Sequence, residues 1–364
     1  MDGNGVERFE TVVIGGGQAG LAVGYHLAKA GRSFVILDAN ERVGDAWRHR
    51  WDSLRLFTPR RYDGLPGYRF PGPSGAAPTK EQVADYLGSY AELFALPVRN
   101  GVRVRRLSRQ DERYEVIAEE GRFQAEDVVI ATGAHQVPRT PGFSRELDPS
   151  IVQLHSAEYR NRAQLREGGV LIVGAGNSGA DISMDVIRDH PTWVSGRDPG
   201  SIPFHIDTFV GRNVLVRLVR GLGQHVLTLR TPFGRKMRRT FLSQGGPVVR
   251  VKPKEMLAAG IVRAPKTVGA KDGRPVLEDG RVLDVANVIW CTGYRQDLSW
   301  VDLPIFGDDG APLHDRGVVT SERGLYLIGL PFQFAVTSDL LAGVPRDARF
   351  IAKRLLGNGR PGRT

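Results

Sequence analysis

One cysteine, Cys291, stands among 364 residues. A single thiol excludes an intrachain disulfide framework and a Cys-x-x-Cys redox pair. It fits a reducing, cytoplasmic compartment. Long apolar runs are missing too: no stretch of about 18 such residues occurs, so no transmembrane helix is expected. The N-terminus shows no basic n-region followed by an apolar h-region, so no secretory signal is expected. Acids are absent from Thr208 to Lys254, where eleven Lys or Arg occur. The formal net charge is +10, yet no arginine-rich arm or nucleic-acid motif accompanies it. Nucleic acid is therefore not an expected partner, and the charge suits solubility and anionic cofactors. No metal site is expected. Glycine and proline are plentiful, at 45 and 22 residues, which favours a loop-rich α/β enzyme over a helical bundle. The length allows about two domains.

The chain is organised around Thr11–Gly20, TVVIGGGQAG. It reads as a buried strand, a tight turn and a helix opening at Ala19. Gly15, Gly17 and Gly20 have the GxGxxG spacing. The first permits the turn, the second lets backbone approach a pyrophosphate, and the third lets helix pack on strand. Gln18 and Ala19 lie where helix N–H groups meet phosphate. A second apolar strand, Ser33–Leu37, ends in Asp38, 18 residues past Gly20. An acid at that offset grips a ribose hydroxyl. Gly169–Val173 then opens into Gly174, Gly176, Asn177, Ser178 and Gly179, a second GxGxxG followed by a helix. Arg197 stands 18 residues past Gly179, where an arginine suits a 2′-phosphate. The pair of sites points to FAD in the first and NADPH in the second.

Between and beyond these units the signals are plainer. Trp47, Trp51 and Phe57 are interleaved with arginines in a loop that covers a flavin, a substrate or the body of the domain. Pro78–Leu96 has helical spacing with Thr79 as N-cap. Gly101–Leu107, Tyr114–Ala118 and Arg122–Gln124 fit a small antiparallel sheet. Asp127–Ile130 is a strand running into Ala131, Thr132 and Gly133. Residues 135–166 read as a linker. Val282–Trp290 is a strand leading to Cys291-Thr292-Gly293-Tyr294, with Cys291 a buried small side chain. Gly324–Gly329 is a last core strand, and Thr337 or Ser338 caps a closing helix from Asp339 to Leu356. Residues 1–9 and the tail GNGRPGRT read as disordered. The acid-free stretch 208–254 reads either as a solvated insertion over the nicotinamide side of the cleft or as a weak membrane-surface or lipid-substrate contact.

Taken together, GGGQAG (15–20), GDAWRHRWDSLRL (44–56), PTKEQVADYLGSYA (78–91), ATG (131–133), HSAEYR (155–160), GAGNSGADI (174–182), CTGY (291–294) and GLYLIGLPFQ (324–333) resemble the class B flavin-containing monooxygenases, in their bacterial and YUCCA-like branch. The resemblance spans about residues 9–356. It implies an α/β fold of two Rossmann-like, three-layer dinucleotide-binding domains, one inserted in the other, with a small antiparallel β-sheet. The FAD domain would be 1–160 plus 291–364 and the NADPH domain 161–290. It further implies backbone contact of Val104 with adenine, Trp47 near the flavin, Arg42 among the cofactor-binding residues, and Gln333 near the isoalloxazine. Thr58 falls where animal-type members carry an active-site Asn. Of the family linker FxGxxxHSxxY, His155, Ser156 and Tyr159 match, whereas Pro149 and Ile151 replace Phe and Gly. Baeyer–Villiger relatives carry Trp at the position of Tyr159. The implied activity is NADPH-dependent oxygenation of a small amine, sulfide or oxo-acid substrate by O2, through a flavin C4a-(hydro)peroxide. Two alternatives stay open, an NADPH oxidase or diaphorase and a non-catalytic flavoprotein sensor. Oligomeric state is not legible.

Overall fold

The computed structural model describes residues 5–357, apart from residue 207. Two sheets form, one mixed and one parallel, and each is centred on a parallel-paired strand that runs into a glycine turn. The first has β1 (Val6–Ile14) at its middle. It pairs in parallel with β2 (Phe34–Leu37) and β6 (Gly121–Ile130). β3 (Val98–Arg99) extends the sheet beyond β2. On the other side β14 (Leu325–Leu327) pairs with β6, and short strands β12 (His314–Asp315) and β13 (Val318–Val319) complete the order β12-β13-β14-β6-β1-β2-β3. The last four residues of β1 are wholly buried, as a strand covered on both faces requires.

Residues 6–9, expected in a disordered tail, instead begin β1. Val6 to Phe9 pair with Arg122 to Ala125 of β6, and Glu7 pairs with Arg99. Their mixed, partly exposed side chains hide a strand that main-chain pairing defines. The first four residues lie outside the described ones, as does the tail from residue 358. The two segments Arg122–Gln124 and Asp127–Ile130 are one strand. Its first half pairs antiparallel with β5 (Arg113–Ala118), which pairs with β4 (Val104–Gln110), and its second half pairs in parallel with β14.

Helices α1 (Gln18–Lys29), α2 (Lys80–Leu93) and α6 (Val344–Gly357) cover one face of this sheet. Leu21, Leu27, Val83, Leu87, Ile351 and Leu355 meet there, all buried. The β4–β5 ribbon and Leu298–Ile305 cover the other face through Leu107, Val116 and Phe123. Thr79 caps α2. Its hydroxyl accepts from Gln82 N–H at 3.3 Å while the Gln82 side chain accepts from Thr79 N–H at 3.0 Å, a capping box. The closing helix starts later than expected. Pro345 has no N–H to donate back to residue 341, so it sits in the first turn of α6. Ser338 instead caps a loop, its Oγ accepting from Phe334 and Ala335 N–H at 3.1 and 3.0 Å.

The second sheet is parallel throughout, in the order β10-β9-β8-β11-β7. Its strands are β7 (Val152–His155), β8 (Val170–Val173), β9 (Thr192–Ser195), β10 (Val262–Ala264) and β11 (Asn287–Trp290). β7 comes from the stretch read as a linker. β11 is shorter than read, because 282–286 run irregularly before it. Helix α3 (Asn177–Val186) follows β8. The acid-free stretch contains two helices, α4 (Val216–His225) and α5 (Pro232–Gln244). A short antiparallel pair, Val137–Pro138 with Tyr294–Arg295, crosses between the sheets. Among the described residues no helix is long and apolar enough to cross a membrane.

The glycines of the first turn differ sharply in the space around them. A Cβ at Gly20 would stand 1.9 Å from the Gly15 carbonyl, whereas one at Gly17 would meet nothing within 4 Å. Gly20→Ala should therefore cost about 2 kcal/mol or more and lower the apo-protein melting temperature by roughly 5 °C or more. Gly17→Ala should leave that melt within about 1–2 °C of wild type, as followed by circular dichroism.

Candidate functional site

The end of β1 and the start of α1 press together. Gly15 has φ +111°, and a Cβ on it would lie 2.5 Å from the Ala131 carbonyl. Ala131 N–H in turn donates to Ile14 O at 2.7 Å. Gly17, the N-cap of α1, faces open space. The free N–H groups of the first helical turn thus point where an anion could sit. Asp38 is buried at the tip of β2. Its Oδ2 accepts from Gly16 N–H and its Oδ1 from the Asn40 main chain and side chain, both at 2.7 Å. Oδ1 is thereby saturated, while Oδ2 keeps a second lone pair for a hydroxyl donor. Val102 N–H donates to Asp38 O at 2.9 Å, which brings the start of β4, and so Val104, beside this acid.

Other expected residues are placed less directly. Trp47 is half-buried against the α1 core. Arg42 is 67% exposed at its side chain and donates from Nε to Asp45 Oδ1 at 2.7 Å. Burial pushes the Asp45 carboxyl up, but Arg42 and Arg48 together hold it below the ordinary range. Gln333 serves the loop rather than reaching outward. Its Nε2 donates to Leu327 O at 2.9 Å and Arg316 O at 3.1 Å, and its Oε1 accepts from Leu330 N–H at 3.3 Å. Thr132 Oγ1 accepts from Gln136 Nε2 at 2.8 Å, and the Gly133 carbonyl accepts from the same amide at 2.8 Å.

The second turn repeats the first. Gly174 has φ +114°, and a Cβ there would lie 2.2 Å from the Cys291 carbonyl. One on Gly179 would lie 1.9 Å from Gly174 O, while one on Gly176 would meet nothing within 4 Å. Ser178 lies half-buried in the first turn of α3. The Asn177 side chain is spent on a neighbouring segment: Nδ2 donates to Pro247 O at 3.1 Å and Oδ1 accepts from Val249 N–H at 2.9 Å. Arg197, past the tip of β9, is exposed. Arg263 on β10 donates to Val194 O and Gly196 O at 3.2 and 3.0 Å, so it holds the loop that carries Arg197. Burial pushes the Cys291 thiol up to about 12, which keeps it protonated and unfit as a nucleophile.

The two turns are held in register by a polar hinge. Arg50 Nη1 donates to Tyr294 Oη at 2.7 Å. His155 Nε2 lies 3.1 Å from Gly293 O, while its Nδ1 accepts from Ala157 N–H at 3.1 Å. That pairing assigns the ring proton to Nε2. Burial lowers the His155 pKa, so the ring is neutral. Tyr159 is fully buried and donates to Asp185 of α3 at 2.9 Å; this motif residue anchors the linker to the second unit.

Helix α4 and the residues flanking it then clasp loops of the first unit. Leu229 N–H donates to Phe334 O at 2.8 Å, Val336 N–H to Leu227 O at 3.1 Å, and Gln224 Nε2 to Ala342 O at 2.9 Å. Arg61 Nη2 donates to Asn213 Oδ1 at 2.8 Å, and Arg220 lies 5.0 Å over the Tyr62 ring. Under this clasp sits Thr58, whose hydroxyl donates to Asp63 Oδ1 at 2.6 Å. Asp63 is 0% exposed, and its Oδ2 has no partner among the described residues. Burial pushes its carboxyl up to about 7, against the pull of Thr58 and Arg220. A second acid, the half-buried Asp339, stands beside α1: Gln18 Nε2 donates to its carbonyl at 2.9 Å. Its Oδ1 and the nearby Thr337 Oγ1 are buried without partners among the described residues, and burial pushes its carboxyl up to about 6.

Asp63, Asp339, Arg220 and Arg263 were not among the expected residues. A faint signal existed for the two acids. Asp63 is the sole acid between Asp52 and Glu81, and Asp339 the sole acid between Arg323 and Asp347. Orphaned buried polar atoms beside a glycine turn, with open backbone at Gly17 and Gly176, fit a pair of dinucleotides with their own donors and acceptors.

Comparison with known proteins agrees with this geometry. Residues 12–195 match the family model described as pyridine nucleotide-disulphide oxidoreductase. An uncharacterized, CzcO-like oxidoreductase of Geobacillus kaustophilus is 37% identical over 96% of this chain and 99% of its own. The probable indole-3-pyruvate monooxygenase YUCCA3 of Arabidopsis thaliana is 28% identical over 94% of this chain and 85% of its own. The solved flavin-containing monooxygenase from Stenotrophomonas maltophilia superposes with a TM-score of 0.78 at 30% identity, covering 96% of this chain and 99% of the other. With two glycine turns of matching geometry on two sheets, the chain belongs to the class B flavin-containing monooxygenases, flavin- and nicotinamide-dependent oxidoreductases.

Proposed function

We propose that the protein is a cytoplasmic NADPH-dependent flavoprotein monooxygenase acting with O2 on a small organic amine, sulfide or oxo acid. The observation that carries this reading is the pair of glycine turns with the same close approach, 1.9 Å from added Cβ to carbonyl in both, followed by an acid in one and an exposed arginine in the other. Residues 1–160 and 291–364 would hold FAD, and residues 161–290 NADPH. Gly15, Gly17, Gln18, Ala19 and Gly20 would cradle the FAD pyrophosphate, Asp38 the ribose, Val104 the adenine side, and Trp47 with Ala131, Thr132 and Gly133 the flavin side. Gly174, Gly176, Asn177, Ser178 and Gly179 would receive the NADPH pyrophosphate, and Arg197 the 2′-phosphate. A bound flavin would supply hydride acceptance from NADPH and activation of O2. The chain's own part is to bind, orient and exclude water, and the α4 clasp over residues 57–63 and 334–342 serves the last of these. Thr58 faces the reaction space, with Asp63 as the positioning residue behind its hydroxyl. The YUCCA3 relative is named for indole-3-pyruvate, which supports including 2-oxo acids among the substrates.

The deciding experiment offers FAD-loaded protein a panel of amines, sulfides and 2-oxo acids with NADPH and O2. Equimolar NADPH loss and oxygenated product, with little hydrogen peroxide, is the expected result. Peroxide matching NADPH loss for every compound makes the protein an oxidase. Negligible NADPH turnover with any acceptor makes it a sensor or binding subunit.

Arg197→Ala should raise KM for NADPH about tenfold or more, the scale of one charge-assisted contact, and leave KM for NADH nearly unchanged. Equal effects on both would remove Arg197 from the phosphate site.

Asp63 gives a pH test. Its folded pKa of about 7 lies above the ordinary value of 3.8. The native state therefore keeps the proton longer, and the stability this contributes is full below about pH 4 and lost as pH rises through about 7. Asp63→Asn should gain melting temperature relative to wild type as pH goes from about 5 to about 8. Its kcat/KM profile should also lose an inflection near 7 that wild type shows; an unchanged profile would confine Asp63 to a structural role.

A further inference from the structure

The outward face of the α4–α5 insertion is left exposed by the described residues of the fold. A helical run over residues 209–225, with a π turn at Gly211–Leu215, carries Val210, Val214, Leu218 and Leu222 at intervals of four. That spacing stacks side chains on one helix face. Leu218 is 64% exposed, and Phe209 and Phe233, elsewhere on the insertion, are 75% and 55% exposed. The opposite face does the structural work. A Cβ on Gly223 would lie 3.2 Å from Val336, Gln224 donates to Ala342 O, and Arg220 covers Tyr62. The apolar stripe is thus not needed to hold the insertion down.

The insertion itself carries one sign of charge. Arg217, Arg230, Arg235, Lys236 and Arg239 are all exposed, and no acid occurs from Thr208 to Lys254. An apolar face of this size flanked by cations is costly in water unless something covers it. A second copy is a poor cover, because a two-fold contact would set this basic surface against itself. A bilayer interface with anionic headgroups satisfies both features at once. The apolar face enters the headgroup–acyl boundary and the cations stay among the phosphates.

We propose that residues 209–242 dock the protein reversibly, lying flat, on an anionic lipid surface. The apolar stripe supplies insertion and the arginines and lysine supply attraction. Membrane contact here is peripheral.

The test is flotation of the full-length, FAD-loaded protein with large unilamellar vesicles. One set is phosphatidylcholine alone, and the other contains about one-third phosphatidylglycerol. Binding is expected to the anionic set only and should weaken as salt shortens the Debye length. Leu218→Ser/Leu222→Ser should lower the vesicle partition coefficient about tenfold or more. Lys236→Gln/Arg239→Gln should lower it about 25-fold, roughly fivefold per charge. Both double variants should retain wild-type flavin absorbance and NADPH turnover in vesicle-free buffer, which shows that they fold. The proposal is overturned if wild type fails to float, or if it floats equally with both vesicle sets. It is also overturned if sedimentation velocity finds a dimer that Leu218→Ser/Leu222→Ser dissolves while flotation is absent; the stripe then belongs to a second copy.

Discussion

A helix start pressed against the strand end that feeds it is the constraint from which the rest follows. In both units the third glycine of the turn touches the carbonyl of the first so closely that an added Cβ would stand 1.9 Å away. That contact fixes the entry angle of α1 and α3, and with it the direction in which their free N–H groups point. It also sets what can lie next door. The first turn leans on the Ala131 carbonyl at the end of β6, the second on the Cys291 carbonyl at the end of β11. Each turn is therefore seated on the exit of a neighbouring parallel strand. The chain leaves that strand through the same Thr-Gly pair, Thr132-Gly133 in one unit and Thr292-Gly293 in the other. Those two exits cross as the short antiparallel pair 137–138 with 294–295, so the geometry that shapes each site also ties the two together.

Joining two rigid units through so small a pair leaves a hinge, and the surrounding polar contacts stiffen it. Arg50 reaches from the loop after β2 to Tyr294, Lys80 gathers the carbonyls of Arg48 and Arg50 with the Asp52 carboxylate, and Asn161 holds the other Asp52 oxygen. Trp51, from the first unit, is buried in the core of the second with Tyr159 and Ile182. On the far side the α4 clasp closes the same gap with backbone hydrogen bonds to residues 334–336. The two units are thus tied at two separate places, which suits the proposed pair of dinucleotides.

Much of this was legible in the sequence because it rests on local rules. Glycine spacing, buried β-branched runs and the offset to Asp38 or Arg197 all report backbone geometry within about 30 residues, and the units built on them formed where they were read. What escaped depends on contacts between distant segments. Val6–Phe9 are a strand only because β6 lies alongside. Gln333 sits one loop from the expected flavin side, yet its amide is consumed by Leu327, Leu330 and Arg316, which no spacing reveals. The closing helix begins at Val344 rather than Asp339, since Pro345 outweighs the Thr-Ser capping signal. In the 208–254 stretch, apolar and basic residues alternate closely enough to blur strand and helix periods; the structure makes it helical, with arginine on both faces. Asp63 and Asp339 look like ordinary loop acids in sequence, and burial alone makes them unusual.

The lone thiol shows how one scaffold can serve different chemistry. The family model that covers the first half of the chain is named for disulphide oxidoreductases, yet a dithiol relay within this chain is impossible with one cysteine. Cys291 occupies the strand exit beneath Gly174, its carbonyl 2.2 Å and its Cβ 3.3 Å from where a Cβ on that glycine would be. Its side chain is confined by that packing and its thiol is pushed to about 12, so it fills space rather than exchanging electrons. The scaffold is therefore separable from the redox chemistry it carries: the same fold serves dithiol exchange only where a second cysteine is supplied, and this chain supplies none, so the choice of reaction rests on other side chains.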